Sequence, residues 1–94
     1  MAVKFSDNPD RSRYEAHDDD RLVGYLEYDK HDIYTVFPHT EVEPAYRDQG
    51  IAEAMVRHAV EEMRLLGERA YPVCPYVKRW FARHPEYDDV LHSS

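Results

Sequence analysis

The first half of the chain contains short runs typical of strands, separated by turn-forming sequences, at residues 3–6, 11–17, 22–29, 33–37 and 39–43. Polar and apolar residues alternate at 11–17, as in a half-buried strand, whereas 22–29 has apolar residues on both faces and 33–37 is rich in β-branched and aromatic residues. Pro38 stands just before the last run. We therefore predict mostly antiparallel strands in which Pro38 marks an edge, a bulge or a strand that diverges from its neighbour.

From Gly50 the apolar residues recur with the period of an α-helix, which predicts an amphipathic helix that ends at Gly67. The residues on its apolar face are Ile51, Ala52, Met55, Val56, Ala59, Met63 and Leu66. Residues 69–74 are predicted to form a strand parallel to the one before the helix, because such units are joined by a right-handed crossover. Pro75 then fits the first turn of a second helix at 76–84, whose inward residues are Val77, Trp80 and Phe81.

These elements predict an α+β fold with a mostly antiparallel, mixed sheet of about five strands. The main helix follows the fourth strand, and the second helix lies toward the C-terminus. The 94 residues fit one domain, 1–94, whose core would draw on eight tyrosines, three phenylalanines and one tryptophan.

No apolar run approaches the roughly 18 residues that a membrane-spanning helix needs, and residues 1–10 lack the apolar segment of a signal peptide. We expect a cytoplasmic protein with no membrane partner. The single cysteine, Cys74, excludes an internal disulfide and a zinc site built from several cysteines. We predict no metal site, and one thiol is left for chemistry.

The formal net charge of −7 argues against a nucleic-acid-binding protein, because such proteins neutralise phosphates with an excess of basic residues. Four basic residues are still placed where they could hold a small anion, namely Arg47, Lys78, Arg79 and Arg83. The simpler alternative is that each is a solvated surface charge.

The loop before the main helix predicts an anion-binding site. Gly50 lets a ligand approach the backbone closely, the N–H groups at the helix start have no partner within the helix, and Arg47 adds positive charge. Ala52 is small enough to leave the space open. The alternative is that Gly50 only starts the helix and Ala52 only packs in the core.

The loop has the form R-x-x-G-x-A over residues 47–52, between His39-Thr40-Glu41-Val42 and the later segment Pro72-Val73-Cys74-Pro75-Tyr76-Val77. Together these segments resemble the GNAT superfamily of N-acetyltransferases, whose loop for the diphosphate of acetyl-CoA has the form Q/R-x-x-G-x-G/A. The likeness is to the small stand-alone branch of GNAT-like proteins of about this length, and it covers nearly the whole chain. It implies an acetyltransferase that uses acetyl-CoA as acyl donor.

The resemblance also implies where each part of acetyl-CoA binds. The diphosphate would contact Arg47, Asp48, Gln49, Gly50, Ile51 and Ala52. Pantetheine would lie between two separating strands beside Thr40 and Val42, and the N–H of Val42 would donate to the developing oxyanion. On the second helix the candidate contacts are Pro75, Tyr76 and Lys78, with Lys78 the first choice for a phosphate.

Acetyl transfer to an amine requires a base for the ammonium proton and an acid for the departing thiolate. Glu41 and His39 project from the same strand face, and Glu41 matches the position that the resemblance implies for the base. Cys74 is a candidate nucleophile, proton donor or buried packing residue. The resemblance favours direct attack in a ternary complex.

Asp48 departs from the family pattern, which often has a second glycine there. Its carboxylate either caps the start of the helix or faces the ligand and lowers the affinity for CoA. A full GNAT domain has further N-terminal helices that build the acceptor pocket, so we expect an open acceptor site here, or one completed by a partner.

The acceptor is expected to be a primary amine on a small molecule, a protein lysine or a protein N-terminus. The acidic charge of the chain favours a cationic one. We expect a monomer or a weak dimer. The alternatives are a module that binds CoA or acyl-CoA without efficient catalysis, and a small interaction protein with no CoA site.

Overall fold

The computed structural model describes residues 2–92 and contains one five-stranded sheet with two helices. The strands are β1 (Val3–Asn8), β2 (Arg13–Asp18), β3 (Arg21–Lys30), β4 (Thr35–Val42) and β5 (Ala70–Pro72), and the helices are α1 (Ile51–Leu66) and α2 (Pro75–Arg83). The strands lie side by side in chain order. Only the β4–β5 pair is parallel, so the mixed, mostly antiparallel α+β fold expected from the sequence is confirmed.

Several element boundaries differ from the sequence expectation. The predicted strand at 69–74 is only three residues long, since the N–H groups of Val73 and Cys74 both donate to the carbonyl of Phe37 and end the ladder. The second helix begins at Pro75, one residue earlier than predicted. Short 3₁₀ turns occupy Pro9–Arg11, Pro44–Tyr46 and Pro85–Val90.

Pro38 lies within β4, in a bulge and directly after Phe37, the last residue of β4 that pairs with β5. The register between β3 and β4 passes from Asp29↔Val36 to Glu27↔His39, so two residues of β4 oppose one residue of β3. An edge, a bulge or a diverging strand was predicted at Pro38, and the structure shows the bulge and the divergence from β5. The bulge also brings Thr40 and Val42, rather than His39 and Glu41, to the helix side of the sheet.

The helices cover one face of the sheet and form the core with it. The buried residues of α1 are Ile51, Met55, Val56, Ala59, Val60 and Met63. Leu66 was predicted to join them, but it is the last residue of α1 before Gly67 and is 65% exposed. In α2 the predicted inward residues Val77, Trp80 and Phe81 are all buried.

The other face of the sheet carries polar side chains. Neighbouring residues of a strand point to opposite faces, so His39 and Glu41 lie on this face while Val42 is buried beneath the helices. The side chains of His39 and Glu41 are 49% and 46% exposed. Across residues 2–92, no helix combines the length and the apolar character that crossing a lipid bilayer requires.

Candidate functional site

The candidate site begins where β4 and β5 stop pairing. The two strands are in register only from Thr35↔Ala70 to Phe37↔Pro72, whereas β4 continues to Val42. The chain after β5 turns into α2, and Cys74 is the residue that caps this helix. A gap therefore opens between the second half of β4 and the start of α2.

Part of the backbone of β4 faces this gap without a neighbouring strand. The N–H of Glu43 donates to the carbonyl of Val23 in β3, and alternate residues of an antiparallel strand bond to the same neighbour. The N–H and carbonyl groups of Val42 consequently point away from β3 and into the gap. Arg47 supports this geometry, because its Nε donates to the Val42 carbonyl at 3.2 Å.

The loop after β4 has the backbone shape of an anion site. Asp48 and Gly50 both adopt left-handed conformations, with φ of 64° and 76°. The first helical bond of α1 joins the N–H of Ala54 to the carbonyl of Gly50. Gly50 has no side chain that could cap the helix, so the N–H groups of the first turn stay open to a ligand.

The gap and the loop border one cleft of about 390 Å³. Its walls come from β4, the loop and the first turns of both helices. The lining residues are Thr40, Glu41, Val42, Tyr46, Arg47, Asp48, Gly50, Ile51, Ala52, Glu53 and Tyr76. Nine of the fourteen residues singled out from the sequence thus come together at one place in the fold.

Five of the residues singled out from the sequence do not line the cleft: His39, Gln49, Cys74, Pro75 and Lys78. The Gln49 side chain turns back to the Ala45 carbonyl, and Pro75 is exposed at the first position of α2. Lys78 lies two residues after Tyr76, on a different side of the helix. Asp48 lines the cleft and makes no side-chain hydrogen bond within the described part of the chain, so the capping reading of Asp48 is not what the structure shows.

Cys74 lies just behind the cleft, where several donors surround its thiol. Burial alone would raise the pKa of Cys74, but hydrogen bonds from the Thr40 side chain and from the N–H groups of Val77, Tyr76 and Thr40 outweigh it and lower the pKa. The Thr40 hydroxyl is 3.5 Å from the sulfur. Cys74 is 6% exposed, so the group with the lowered pKa is enclosed.

A second cleft of about 400 Å³ lies on the other side of Glu41. It is lined by Leu22, Val23, Gly24, Tyr25, Glu41, Val42, Glu43, Pro44 and Arg47. Glu41, Val42 and Arg47 therefore belong to both clefts. The carboxylate of Glu41 lies 3.8 Å from a ring nitrogen of His39 and 3.5 Å from the guanidinium of Arg47.

Two residues that line the first cleft were not identified from the sequence. Tyr46 donates from its hydroxyl to Asp18 at 2.9 Å. Glu53 accepts from Arg57 at 2.8 Å and from the indole of Trp80 at 3.4 Å. The sequence could have identified both residues, because Tyr46 lies in the loop before α1 and Glu53 lies in the first turn of α1, and both elements were predicted.

The cleft has no features of a metal centre. Between residues 2 and 92, no group of three or more histidine, cysteine, aspartate or glutamate side chains is placed to hold a metal ion. The cleft instead offers hydrogen-bond donors for an anion at the start of α1, the N–H of Val42 on the side of β4 that faces the gap, and the carboxylate of Glu41 at its edge.

Comparison with known proteins gives a family match. The family model described as GCN5-related N-acetyl-transferase matches residues 13–90. No curated protein matches the chain.

Solved structures with the same fold include a GCN5-like candidate N-acetyltransferase from Staphylococcus aureus, at 18% identity and a TM-score of 0.75. The alignment covers 97% of this chain and 89% of that one. Another is the ribosomal-protein-S18-alanine N-acetyltransferase from Escherichia coli, at 12% identity and a TM-score of 0.65, where the alignment covers 76% of this chain and 49% of that chain. A ribosomal-protein-alanine N-acetyltransferase from Brucella melitensis aligns at 18% identity over 87% of this chain and 62% of its own, with a TM-score of 0.58.

Proposed function

The chain belongs to the GCN5-related N-acetyltransferase family, and from this premise we propose that it transfers an acetyl group from acetyl-CoA to a primary amine. The observation that carries the proposal is the gap beside β4, which runs into the glycine-started α1 and has Glu41 at its edge. We propose that residues 1–94 act as one acetyltransferase domain.

The donor is proposed to lie along the first cleft. Its diphosphate would accept hydrogen bonds from the open N–H groups at the start of α1, where the helix dipole also favours negative charge. Pantetheine would follow the free edge of β4 as an added strand does, with the thioester carbonyl at the N–H of Val42. Gly50 has no atoms within 4 Å of the position its Cβ would take, which leaves room for the diphosphate.

The amine is proposed to arrive from the second cleft, since Glu41 separates the two. Glu41 takes a proton from the ammonium group, and the free amine attacks the thioester carbon to form a C–N bond. The N–H of Val42 stabilises the oxyanion of the tetrahedral intermediate. The nitrogen of the intermediate loses its extra proton to solvent as the C–S bond breaks, and the CoA thiolate leaves with the electron pair and takes up a proton.

Tyr76 is proposed to supply that last proton. Three hydroxyl groups line the first cleft, and two are engaged: Thr40 lies 3.5 Å from the Cys74 sulfur and Tyr46 donates to Asp18. The Tyr76 hydroxyl makes no side-chain hydrogen bond with a described residue. Burial and the nearby charge of Glu53 raise the pKa of Tyr76, so its hydroxyl keeps the proton at neutral pH.

Direct binding of the donor tests the proposal first. A ligand at 100 times its Kd stabilises a protein by about 2.7 kcal/mol, so acetyl-CoA and CoA should each raise the melting temperature. Purified protein is then incubated with acetyl-CoA and a panel of primary amines and amine-bearing peptides, and release of the CoA thiol is followed. The absence of any thermal shift at millimolar acetyl-CoA would rule out both an acetyltransferase and a CoA-binding module.

The alternative function is a module that holds CoA or acyl-CoA without efficient transfer. It would use the same loop and the same free edge of β4, but it would not need Glu41 as a base. A thermal shift with acetyl-CoA, combined with no thiol release above the uncatalysed rate for any amine in the panel, would favour this alternative.

A further inference from the structure

The acidic chain carries its most basic element beside the proposed donor cleft. The whole sequence has 19 acidic and 12 basic residues, yet α2 contains Lys78, Arg79 and Arg83 and no acidic residue. All three side chains are exposed. A local excess of positive charge on a protein that otherwise repels anions points to a bound anion at this helix.

Two of these three residues lie on the side of α2 that borders the cleft. Residues at positions i, i+3 and i+7 of a helix share one side, which groups Tyr76 with Arg79 and Arg83. Tyr76 lines the first cleft. A smaller pocket of about 60 Å³ adjoins it and is lined by Glu53, Tyr76, Arg79, Trp80, Arg83 and His84. Because Tyr76 and Glu53 belong to both, the pocket extends the cleft toward the two arginines.

The two guanidinium groups are available to a ligand. Neither Arg79 nor Arg83 makes an ion pair or a side-chain hydrogen bond with any residue in the range 2–92, whereas the neighbouring Arg57 is paired with Glu53 at 2.8 Å. The positive charges of Arg83 and Arg79 oppose the rise in the pKa of Tyr76. Both arginines therefore act electrostatically on the wall of the cleft.

The single carboxylate in this pocket is already paired with a cation. Glu53 interacts with Arg57, with the Trp80 indole at 3.4 Å and with a His84 ring nitrogen at 3.6 Å. Its charge repels a phosphate less than a free carboxylate would, because a cation lies beside it. The pocket thus offers two unpaired guanidinium groups and no uncompensated negative charge.

We propose that Arg79 and Arg83 bind the 3′-phosphate of the CoA ribose and make the cleft selective for CoA over dephospho-CoA. The inference rests on the proposed acetyl-CoA site and adds to it a phosphomonoester subsite on α2. Arginine suits this role because its planar group donates two parallel hydrogen bonds to phosphate oxygens. Lys78, the residue first chosen from the sequence for a phosphate contact, lies on another side of the helix.

Calorimetric titrations with CoA and dephospho-CoA, at low ionic strength where screening is weak, test the inference. The wild-type protein should bind CoA about tenfold or more tightly than dephospho-CoA, as expected for losing one charge-assisted contact. In the double variant Arg79→Gln/Arg83→Gln, the affinity for CoA should fall to that for dephospho-CoA. The affinity for dephospho-CoA should stay unchanged.

Lys78→Gln is the matched control, since it removes one positive charge from the same helix on a different side. It should preserve the preference for CoA. Equal wild-type affinity for the two ligands would overturn the phosphate subsite and leave the proposed function standing. An equal loss for both ligands in the double variant would assign the arginines to the diphosphate instead. If the wild-type protein binds neither ligand, the proposed function itself fails.

Discussion

The guanidinium group of Arg47 lies 3.5 Å from the carboxylate of Glu41, and its Nε donates to the carbonyl of Val42 at 3.2 Å. Arg47 therefore joins the loop proposed for the diphosphate to the residue proposed as the base. A diphosphate carries more negative charge than a carboxylate, so we expect bound acetyl-CoA to draw Arg47 toward the loop. Glu41 would then be free to contact the amine.

Replacing Glu41 with glutamine removes the proposed base and keeps the size of the side chain. We expect turnover to fall by about 100-fold or more, because a positioned general base commonly contributes a factor of about 10²–10⁴. The Kd for acetyl-CoA should change little, since the donor is held mainly by the loop and by the edge of β4. Thiol release at saturating acetyl-CoA and calorimetry measure the two quantities separately.

Glu43→Gln is the control for Glu41→Gln. It removes a carboxylate from the same second cleft, and Glu43 already pairs with Arg21 at 2.9 Å, so turnover should be retained. Equal losses in the two variants would contradict a specific role for Glu41. A loss that follows His39→Gln instead would assign the base to His39, the neighbour on the same strand face.

Tyr76→Phe removes the proposed proton donor, and Tyr46→Phe removes the other tyrosine hydroxyl of the cleft. We expect Tyr76→Phe to lower kcat by about tenfold or more with little effect on the Kd for acetyl-CoA. The pKa of Tyr76 is raised above the usual value of about 10. Ionisation of its hydroxyl should therefore not lower the wild-type kcat at any pH below about 10. Tyr46→Phe should keep its turnover, and full turnover in Tyr76→Phe would exclude the acid role.

Asp48→Asn tests the carboxylate beside the proposed diphosphate site. Asparagine tolerates the left-handed conformation of residue 48 at least as well as aspartate does, so the stability of the fold should not fall. Removing one negative charge near a diphosphate should tighten CoA binding several-fold, roughly 1 kcal/mol for an exposed pair of charges. Asp48→Gly should give a similar gain by calorimetry, and an unchanged affinity in both variants would show that Asp48 does not face the ligand.

The strand-loop-helix joint could be predicted from the sequence because its signals are local. A glycine that starts a helix, a glycine that ends it and a proline at the first turn of α2 each act through their own backbone preferences. Gly50, Gly67 and Pro75 occupy those positions in the structure. The amphipathic period of α1 is likewise a property of consecutive residues, and its stripe is buried apart from Leu66, with Ala52 only partly covered.

The contacts between distant segments could not be predicted in the same way. β5 is short because the N–H groups of Val73 and Cys74 both donate to the carbonyl of Phe37, a residue in another strand. The rotation of α2 brings Arg79 and Arg83 to the small pocket beside the cleft, whereas Lys78, predicted from the sequence as the phosphate contact, lines neither. Residue type and sequence position alone do not give that rotation.

The thiol of Cys74 should ionise below its usual pKa of about 8.5, because Thr40 and three backbone N–H groups donate to the sulfur. Since Cys74 is the one cysteine of the chain, thiolate absorbance near 240 nm reports this residue alone below the pH at which tyrosines ionise. Thr40→Val removes the hydroxyl donor and keeps the shape of the side chain, so the midpoint should move upward. Cys74→Ser provides the blank, and a wild-type midpoint above about 8.5 would contradict the hydrogen-bonding argument.

Gly50→Ala and Gly67→Ala form a matched pair that separates stability from binding. Both glycines have left-handed φ values, 76° and 73°, and neither has an atom within 4 Å of the added Cβ. Each substitution should therefore lower the free energy of unfolding by a similar amount, about 1–2 kcal/mol, which urea denaturation measures. Only residue 50 lines the first cleft, so only Gly50→Ala places a methyl group where the diphosphate is proposed to bind. We expect calorimetry to show weaker CoA binding for Gly50→Ala and wild-type binding for Gly67→Ala, whereas equal affinities in the two variants would place the diphosphate elsewhere.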